Sequence, residues 1–349
     1  VPDIYEIYHV NFPTTTILLL PLSAFNYSTA RIIWTIFNII ILTITVGFLL
    51  KKFKFQGVWI PLILILVLLF QPLYANFSFG QAYVFIFSLL VLAWHAYKTD
   101  RIGLLGFAIG LIFILKSTSF IFFILFLIQK RWKSFFYALI TVLIISLASL
   151  PWIGIDSWYT YSEKFVSYIS HPSLSVTAYQ TIQSFFNHLT TFNQQWNPEP
   201  IFNLPNLGKI LSTLSILTIL VYSSIKAYKL KKTDLAFGLF IVAGLIVSPA
   251  SLDYHYTIIL FSIFVLLKWS LNNAAVFTWA VIIVSVLMIA AYIPYTSVKV
   301  KGGWLSLFAY PKLYGAIGLW SIFLFASGKH QAAKEQNISK SNLLIEEKK

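Results

Sequence analysis

Residues 103–128 read GLLGFAIGLIFILKSTSFIFFILFLI, an apolar run broken at Lys116-Ser117-Thr118-Ser119. Lys98 and Arg101 precede the run, and Lys130, Arg131 and Lys133 follow it. Basic loops mark the cytoplasmic side of a membrane protein, so both ends lie on that side and the run crosses an even number of times. Each arm then holds about 13 residues, about 20 Å at the helical rise. That falls short of the roughly 30 Å hydrocarbon core. The run therefore reads as a hairpin of two short helices with Lys116 near its tip. A lysine at that depth costs about 2.5–3.5 kcal/mol on insertion scales, so it needs a partner, water or a task. The tip is expected to form part of an active site on the outer side.

Working outward, the rest of the chain has the same character. Its 349 residues are 58% hydrophobic and 10% charged, with mean hydropathy +0.81, whereas soluble domains carry about 25% charged residues. The expected fold class is all-α: a polytopic transmembrane helical bundle of about nine to eleven membrane segments, short hairpin included. The apolar runs are too long, and lack the alternation, for barrel strands. Net charge is +14, but the basic residues gather in short loops of one side. They report topology and contact with anionic lipid, and no nucleic-acid partner is expected. Cysteine is absent, which excludes disulfides and thiolate chemistry. The single Met, away from position 1, suggests a chain that begins inside a longer protein, and no signal peptide is visible.

In chain order, residues 16–25 are too short to span and are broken by Pro21, so they read as interfacial. Spans follow at 30–50, 58–70 and 82–97, with an external loop at 71–81. After the hairpin come 135–151, then a long polar stretch, 154–207, rich in Trp and Tyr. It reads as an external loop with amphipathic helices on the bilayer surface. Further spans are expected at 209–225, 235–247, 256–267, 274–293 and 305–326. Residues 1–327 would form one transmembrane domain and 328–349 a disordered cytoplasmic tail. The localisation expected is the cell (plasma or inner) membrane.

Polar residues cluster at three outer turns: Asn76/Gln81, Lys116/Ser117/Thr118 and Asp253/His255. Asp3, Glu6, His9 and Asn11 add candidates near the start. A lysine with hydroxyls and amides suits a phosphate, the lysine as a point charge. A nearby carboxylate suits general-base work on a hydroxyl. Blander readings stand beside these. Lys116 can snorkel or pair with a carboxylate, and Asp253 and His255 can mark a solvated turn. His171 and His188 lack a spaced partner for a zinc site, so no metal is expected. No GxxxxGK loop is present, so ATP or nucleotide-sugar use is not indicated, and no cofactor is expected.

Four stretches together resemble glycosyltransferase family 87, the polyprenyl-phosphate-mannose-dependent mannosyltransferases of GT-C type. They are Asn11-Phe12-Pro13-Thr14 with Leu20-Pro21-Leu22 and Ile33-Trp34; Asn76 with Gly80-Gln81; Gly106, Gly110 and Lys116-Ser117-Thr118; and Ser248-Pro249 with Asp253 and His255. Ser119 stands where the family usually has Pro, and Phe12 where it has the first Pro of a pair. The resemblance implies a GT-C membrane domain and a polyprenyl-phosphate sugar donor, mannose first, with an outer-face glycan or glycolipid acceptor. It implies Lys116, Ser117 and Thr118 on the donor phosphate, and Gln81, Asn76 and His255 positioning sugar or phosphate. Asp253 is the candidate base. Family members begin with a further span and an acidic outer loop, so the principal base is expected upstream of this chain. The alternative is a lipid or solute transporter, or a flippase, which predicts polar groups along a path through both faces.

Overall fold

The computed structural model describes residues 12–169 and 172–346, without the side chains of Leu18, Thr118 and residues 165–169, 172–173 and 330–346. The helices, in order, are α1 (Thr15–Leu19), α2 (Tyr27–Lys52), α3 (Trp59–Leu68), α4 (Gln71–Ser78) and α5 (Tyr83–Lys98). The hairpin follows as α6 (Ile102–Leu115) and α7 (Phe120–Ile128). Then come α8 (Trp132–Ile153), α9 (Ile155–Ile169), α10 (Ile182–Thr190), α11 (Pro205–Lys229) and α12 (Asp234–Val247). The last are α13 (Ile259–Asn273), α14 (Val276–Ala290) and α15 (Pro311–Glu346). Among the described residues there is no β-strand, only an isolated bridge between Asn193 and Asn197.

Four described helical stretches are long and apolar enough to cross a membrane: α2, α8, α11 and the 3₁₀ turn with α13, Asp253–Asn273. Two bent pairs bring the number to six: α3 with α4, at 42°, and Gly303–Ala309 with α15, at 53°. The chain is thus an all-α, multi-pass helical membrane protein. Its α5, α6, α12 and α14 are apolar but shorter. Burial separates two kinds of helix. In α2, α8 and α11, at most 22% of the apolar window is buried, and large side chains such as Ile44, Leu143 and Leu214 stand exposed. Such faces belong in lipid, where no water is structured around them. In α12 every residue from Leu235 to Val247 is buried, as a helix apolar all round must be. It is the central post of the bundle, with α7, α11, α13 and α15 around it.

The hairpin closes tightly on α8. A Cβ added to Gly106 would lie 2.4 Å from Tyr137 Cβ, and one on Gly110 would lie 2.7 Å from the Ala138 carbonyl oxygen. Glycine is what lets these two backbones approach. Residues 71–81, expected as an irregular loop, contain the helix α4. Pro72 sits in its first turn, where a missing N–H removes no helical bond. The last helix, α15, runs from Pro311 to Glu346.

The helices give the bundle two chemically different ends. At one, Lys98 pairs with Asp234 at 3.0 Å, Arg131 with Asp100 at 3.5 Å, and Lys232 also with Asp100. Trp94 donates to Asp234 and the Arg131 guanidinium lies 4.3 Å from the Tyr97 ring centre. The start of α6 and the ends of α5 and α7 lie there. The start of α5 at Tyr83, the end of α6 at Leu115 and the end of α12 at Val247 are therefore at the other end, about 20 Å away along α6.

Candidate functional site

The non-basic end is built around a helix that stops inside protein. At Lys116 the backbone leaves the helical region (φ −154°, ψ 127°), and Ser117–Ser119 form one 3₁₀ turn before α7. A helix end leaves carbonyls without intrahelical partners. Here two threonines from the N-terminal stretch supply them. Thr14 Oγ1 donates to the Ile114 carbonyl at 2.9 Å, and Thr15 Oγ1 to that of Leu115 at 3.1 Å. Ser119 Oγ donates back to the Ile109 carbonyl at 3.1 Å. Phe12-Pro13-Thr14 is thereby fixed against the Lys116 tip.

A second turn joins α4 to α5. Gly80 holds φ +60°, which favours glycine. The Trp34 indole donates to the Gly80 carbonyl at 3.1 Å. Asn76 is buried, and its Oδ1 accepts the Tyr83 backbone N–H at 2.9 Å, capping the start of α5. Gln81 is half-buried and donates to the Phe79 carbonyl at 3.4 Å. Tyr83, with which α5 opens, is the hinge between turns. The Lys116 ammonium lies 5.9 Å from its ring centre, within cation–π range. The His255 ring centre lies 4.4 Å from that of Tyr83.

The third turn follows α12. Ser248 and Ser251 close it through the carbonyls of Ala250 and Leu245, and a 3₁₀ helix, Asp253–Ile258, leads into α13. Thr257 Oγ1 donates to the Pro72 carbonyl, tying this turn to α4. His255 is buried; its Nδ1 accepts the Leu252 N–H at 2.9 Å, so a neutral ring carries its proton on Nε2. Tyr254 stacks on it at 4.7 Å. His255 also sits close enough to feel the Lys116 charge. Ser119, Ser248 and Ser251 line one small cavity with Leu90, Ile112 and Ile241.

The structure thus brings Lys116 and His255 together across Tyr83, with Gln81 and Asn76 in the turn that starts Tyr83's helix. Ser117 is half-buried beside Lys116. The side chain of Thr118, and all of Asp3, Glu6, His9, Asn11 and His171, lie outside the described residues. Leu20-Pro21-Leu22 stays apart, on an exposed 3₁₀ turn. An aromatic wall joins the tip: Phe12 lies 5.3 Å from Phe113, 6.0 Å from Trp158 and 5.0 Å from Tyr161, the last two on α9. Burial pushes the Tyr161 phenol up to about 12.

Asp253 faces a different neighbour. Its Oδ1 lies 3.1 Å from Lys312 Nζ and accepts the Tyr295 hydroxyl. Lys312 is 1% exposed against 25% for Asp253, and it also donates to the Ile289 carbonyl at 2.8 Å. Gln180, itself fully buried, braces this group: its Oε1 accepts the Lys312 backbone N–H, its Nε2 donates to the Ala309 carbonyl, and its own carbonyl accepts the Tyr256 hydroxyl. Burial, then the Asp253 charge, raises the Tyr295 phenol far above its ordinary range. Lys312, Tyr295 and Gln180 were not among the residues the sequence singled out. The usable signal was Lys312, a charge inside the span expected at 305–326.

Further out, His188 on α10 is buried, with Nδ1 2.6 Å from the Ser175 carbonyl and Nε2 2.7 Å from that of Lys301. Burial pulls it below the ordinary histidine range, and its two carbonyl neighbours oppose that. It ties the segment after α9 to the loop before α15. Among the described residues no three His, Cys, Asp or Glu side chains gather as a metal site.

Fold and site define a multi-pass helical membrane protein with a lysine, a histidine and aromatic rings gathered at one end. The chain belongs to glycosyltransferase family 87, whose model matches residues 10–249, more than half of its length. It is a membrane glycosyltransferase, acting with a sugar donor and a glycan acceptor. The match contains the Lys116 and Gly80-Gln81 turns and Ser248-Pro249; Asp253, His255, Tyr295 and Lys312 lie beyond it. No curated protein and no solved structure matches the chain.

Proposed function

We propose that this glycosyltransferase moves a hexose, mannose first, from a polyprenyl-phosphate donor to a hydroxyl of a glycan or glycolipid on the outer face of the cell membrane. The observation that carries the reading is the meeting of the Lys116 ammonium with His255 across Tyr83, at a helix break at the end of the bundle opposite the basic loops. With the basic end cytoplasmic, this group of residues lies toward the outer face.

The donor's sugar C1–O bond breaks as the acceptor oxygen attacks C1, and the polyprenyl phosphate leaves with one more negative charge. Lys116, with Ser117 and Thr118, holds that phosphate. One ammonium at about 4 Å is worth about 4 kcal/mol at an effective dielectric near 20, and it gains most where the charge grows. His255, through Nε2–H, and Gln81 orient sugar or phosphate, while Asn76 acts by capping Tyr83's helix. The C1 carbon passes through an oxocarbenium-like state, as in glycosyl chemistry generally. A prenyl tail is accommodated by the apolar faces of the surrounding helices, which is why a lipid-embedded chain can work on sugars. The acceptor's hydroxyl proton passes to a general base as its oxygen bonds to C1.

The test is transfer in detergent from a short synthetic polyprenyl-phosphate mannose carrying a labelled sugar. The reading predicts labelled glycan and free polyprenyl phosphate in equal amounts. Label crossing liposome membranes without donor turnover would replace it with transport.

A further inference from the structure

The carboxylate that sequence reasoning marks as a base is held in an unusual way. Both protein partners of Asp253 sit on one oxygen: Oδ1 takes the Lys312 ammonium and the Tyr295 hydroxyl. Oδ2 takes none among the described residues, and the carboxylate keeps 25% exposure while Lys312 behind it keeps 1%. One oxygen is clamped from the protein side and the other is left for something arriving from outside. The Asp253 charge is spent on the deeply buried Lys312 ammonium, and a buried ammonium without a counter-charge is costly. The next residue, Tyr254, presents a half-buried ring stacked on His255. A carboxylate oxygen and an aromatic ring carried on one turn are the chemistry that receives a hexose, hydroxyl to oxygen and C–H face to ring.

On that geometry we infer that Asp253 receives a sugar hydroxyl through Oδ2, with Lys312 and Tyr295 as its positioning residues, and is not the proton acceptor of the transfer. The inference rests on the reading of the chain as a polyprenyl-phosphate sugar transferase and adds a specificity element to it. Lys312 stands at the start of α15, outside the family-matched stretch. The turn led by Asp253 also carries His255, so the clamp fixes both the hydroxyl receptor and the phosphate-side histidine.

The experiment uses the full chain in detergent and two probe series. One is short-chain polyprenyl-phosphate mannose with its 2-, 3-, 4- and 6-deoxy forms as donors; the other is octyl mannoside with its mono-deoxy forms as acceptors. A site that bonds a hydroxyl discriminates against the analogue lacking it. The unaltered chain should prefer the intact sugar over one deoxy form by about tenfold or more. Asp253→Asn should raise KM in that series about tenfold, keep kcat within about threefold and erase that one preference. The series in which the preference falls identifies donor or acceptor sugar. Lys312→Arg should retain most of the preference. Tyr295→Phe, which leaves the ion pair in place, should weaken it severalfold and serves if Asp253→Asn fails to fold. A kcat loss of about 100-fold in Asp253→Asn with the preference intact would make Asp253 the base. An unchanged preference in both Asp253→Asn and Tyr295→Phe would make the cluster structural. Either result overturns the inference. Failure of the underlying reading looks different: the unaltered chain would turn over no polyprenyl-phosphate sugar, and the inference would fall with it.

Discussion

Replacing Lys312 with methionine keeps much of the side chain's length and removes its charge. The ammonium sits 3.1 Å from Asp253 Oδ1, 2.8 Å from the Ile289 carbonyl and is 1% exposed. At that separation and an effective dielectric near 20 the gross attraction is about 5 kcal/mol. Breaking a buried pair by removing one partner costs about 3–5 kcal/mol. Lys312→Met belongs at the low end, because Asp253 keeps the Tyr295 hydroxyl and partial access to water. Asp253→Asn belongs at the high end, because the stranded ammonium is the more deeply buried partner. The double variant strands neither charge, so the two single losses should exceed the double by about 2 kcal/mol or more. The assay is a four-variant cycle by SDS titration in mixed micelles, read by the fluorescence of the chain's 11 tryptophans. Additivity within about 0.5 kcal/mol would refute the reasoning, since it would mean that the two side chains do not depend on each other.

Two further predictions concern the frame around the site. Gly106→Val should separate α6 from α8 and destabilise the protein by about 1–3 kcal/mol, lowering the thermal midpoint in detergent, whereas Gly103→Ala, with open space around its Cβ position, should change stability little. His188 should make stability depend on pH. Its folded form holds a proton less readily than the unfolded chain, whose imidazole titrates near about 6.5. In the window just below that value the unfolded state binds more protons, so stability falls as pH falls. His188→Gln should flatten that dependence between about pH 7 and 5; a slope as steep as that of the unaltered chain would sink the explanation.

Much of the site was legible because charge in an apolar run is costly wherever it lies. Lys116 announced a break in 103–128, and its basic flanks put both helix ends on one side. The two arms appear as α6 and α7, and the three expected polar turns share one end of the bundle. The two turns of helix at α4 were hidden because Pro72 reads as a breaker unless it is seen in a first turn. Asn76 looked like a ligand-binding amide, yet its side chain caps Tyr83, a bond that depends on how Gly80 turns the chain. Lys312 is a charge inside the span expected at 305–326. Its meaning comes from Asp253, far away in sequence, and from Gln180 in the polar segment between α9 and α10. No local pattern encodes such a meeting.

The central claim is that the ammonium at the broken helix holds a lipid-linked phosphate, and the most direct measurement compares sugar transfer from polyprenyl-phosphate mannose by the unaltered chain, Lys116→Ala and Lys116→Arg. The account predicts a loss of about 100- to 1,000-fold in kcat/KM for alanine and partial retention for arginine. Alanine that transfers mannose as fast as lysine, with the protein folded, would contradict it.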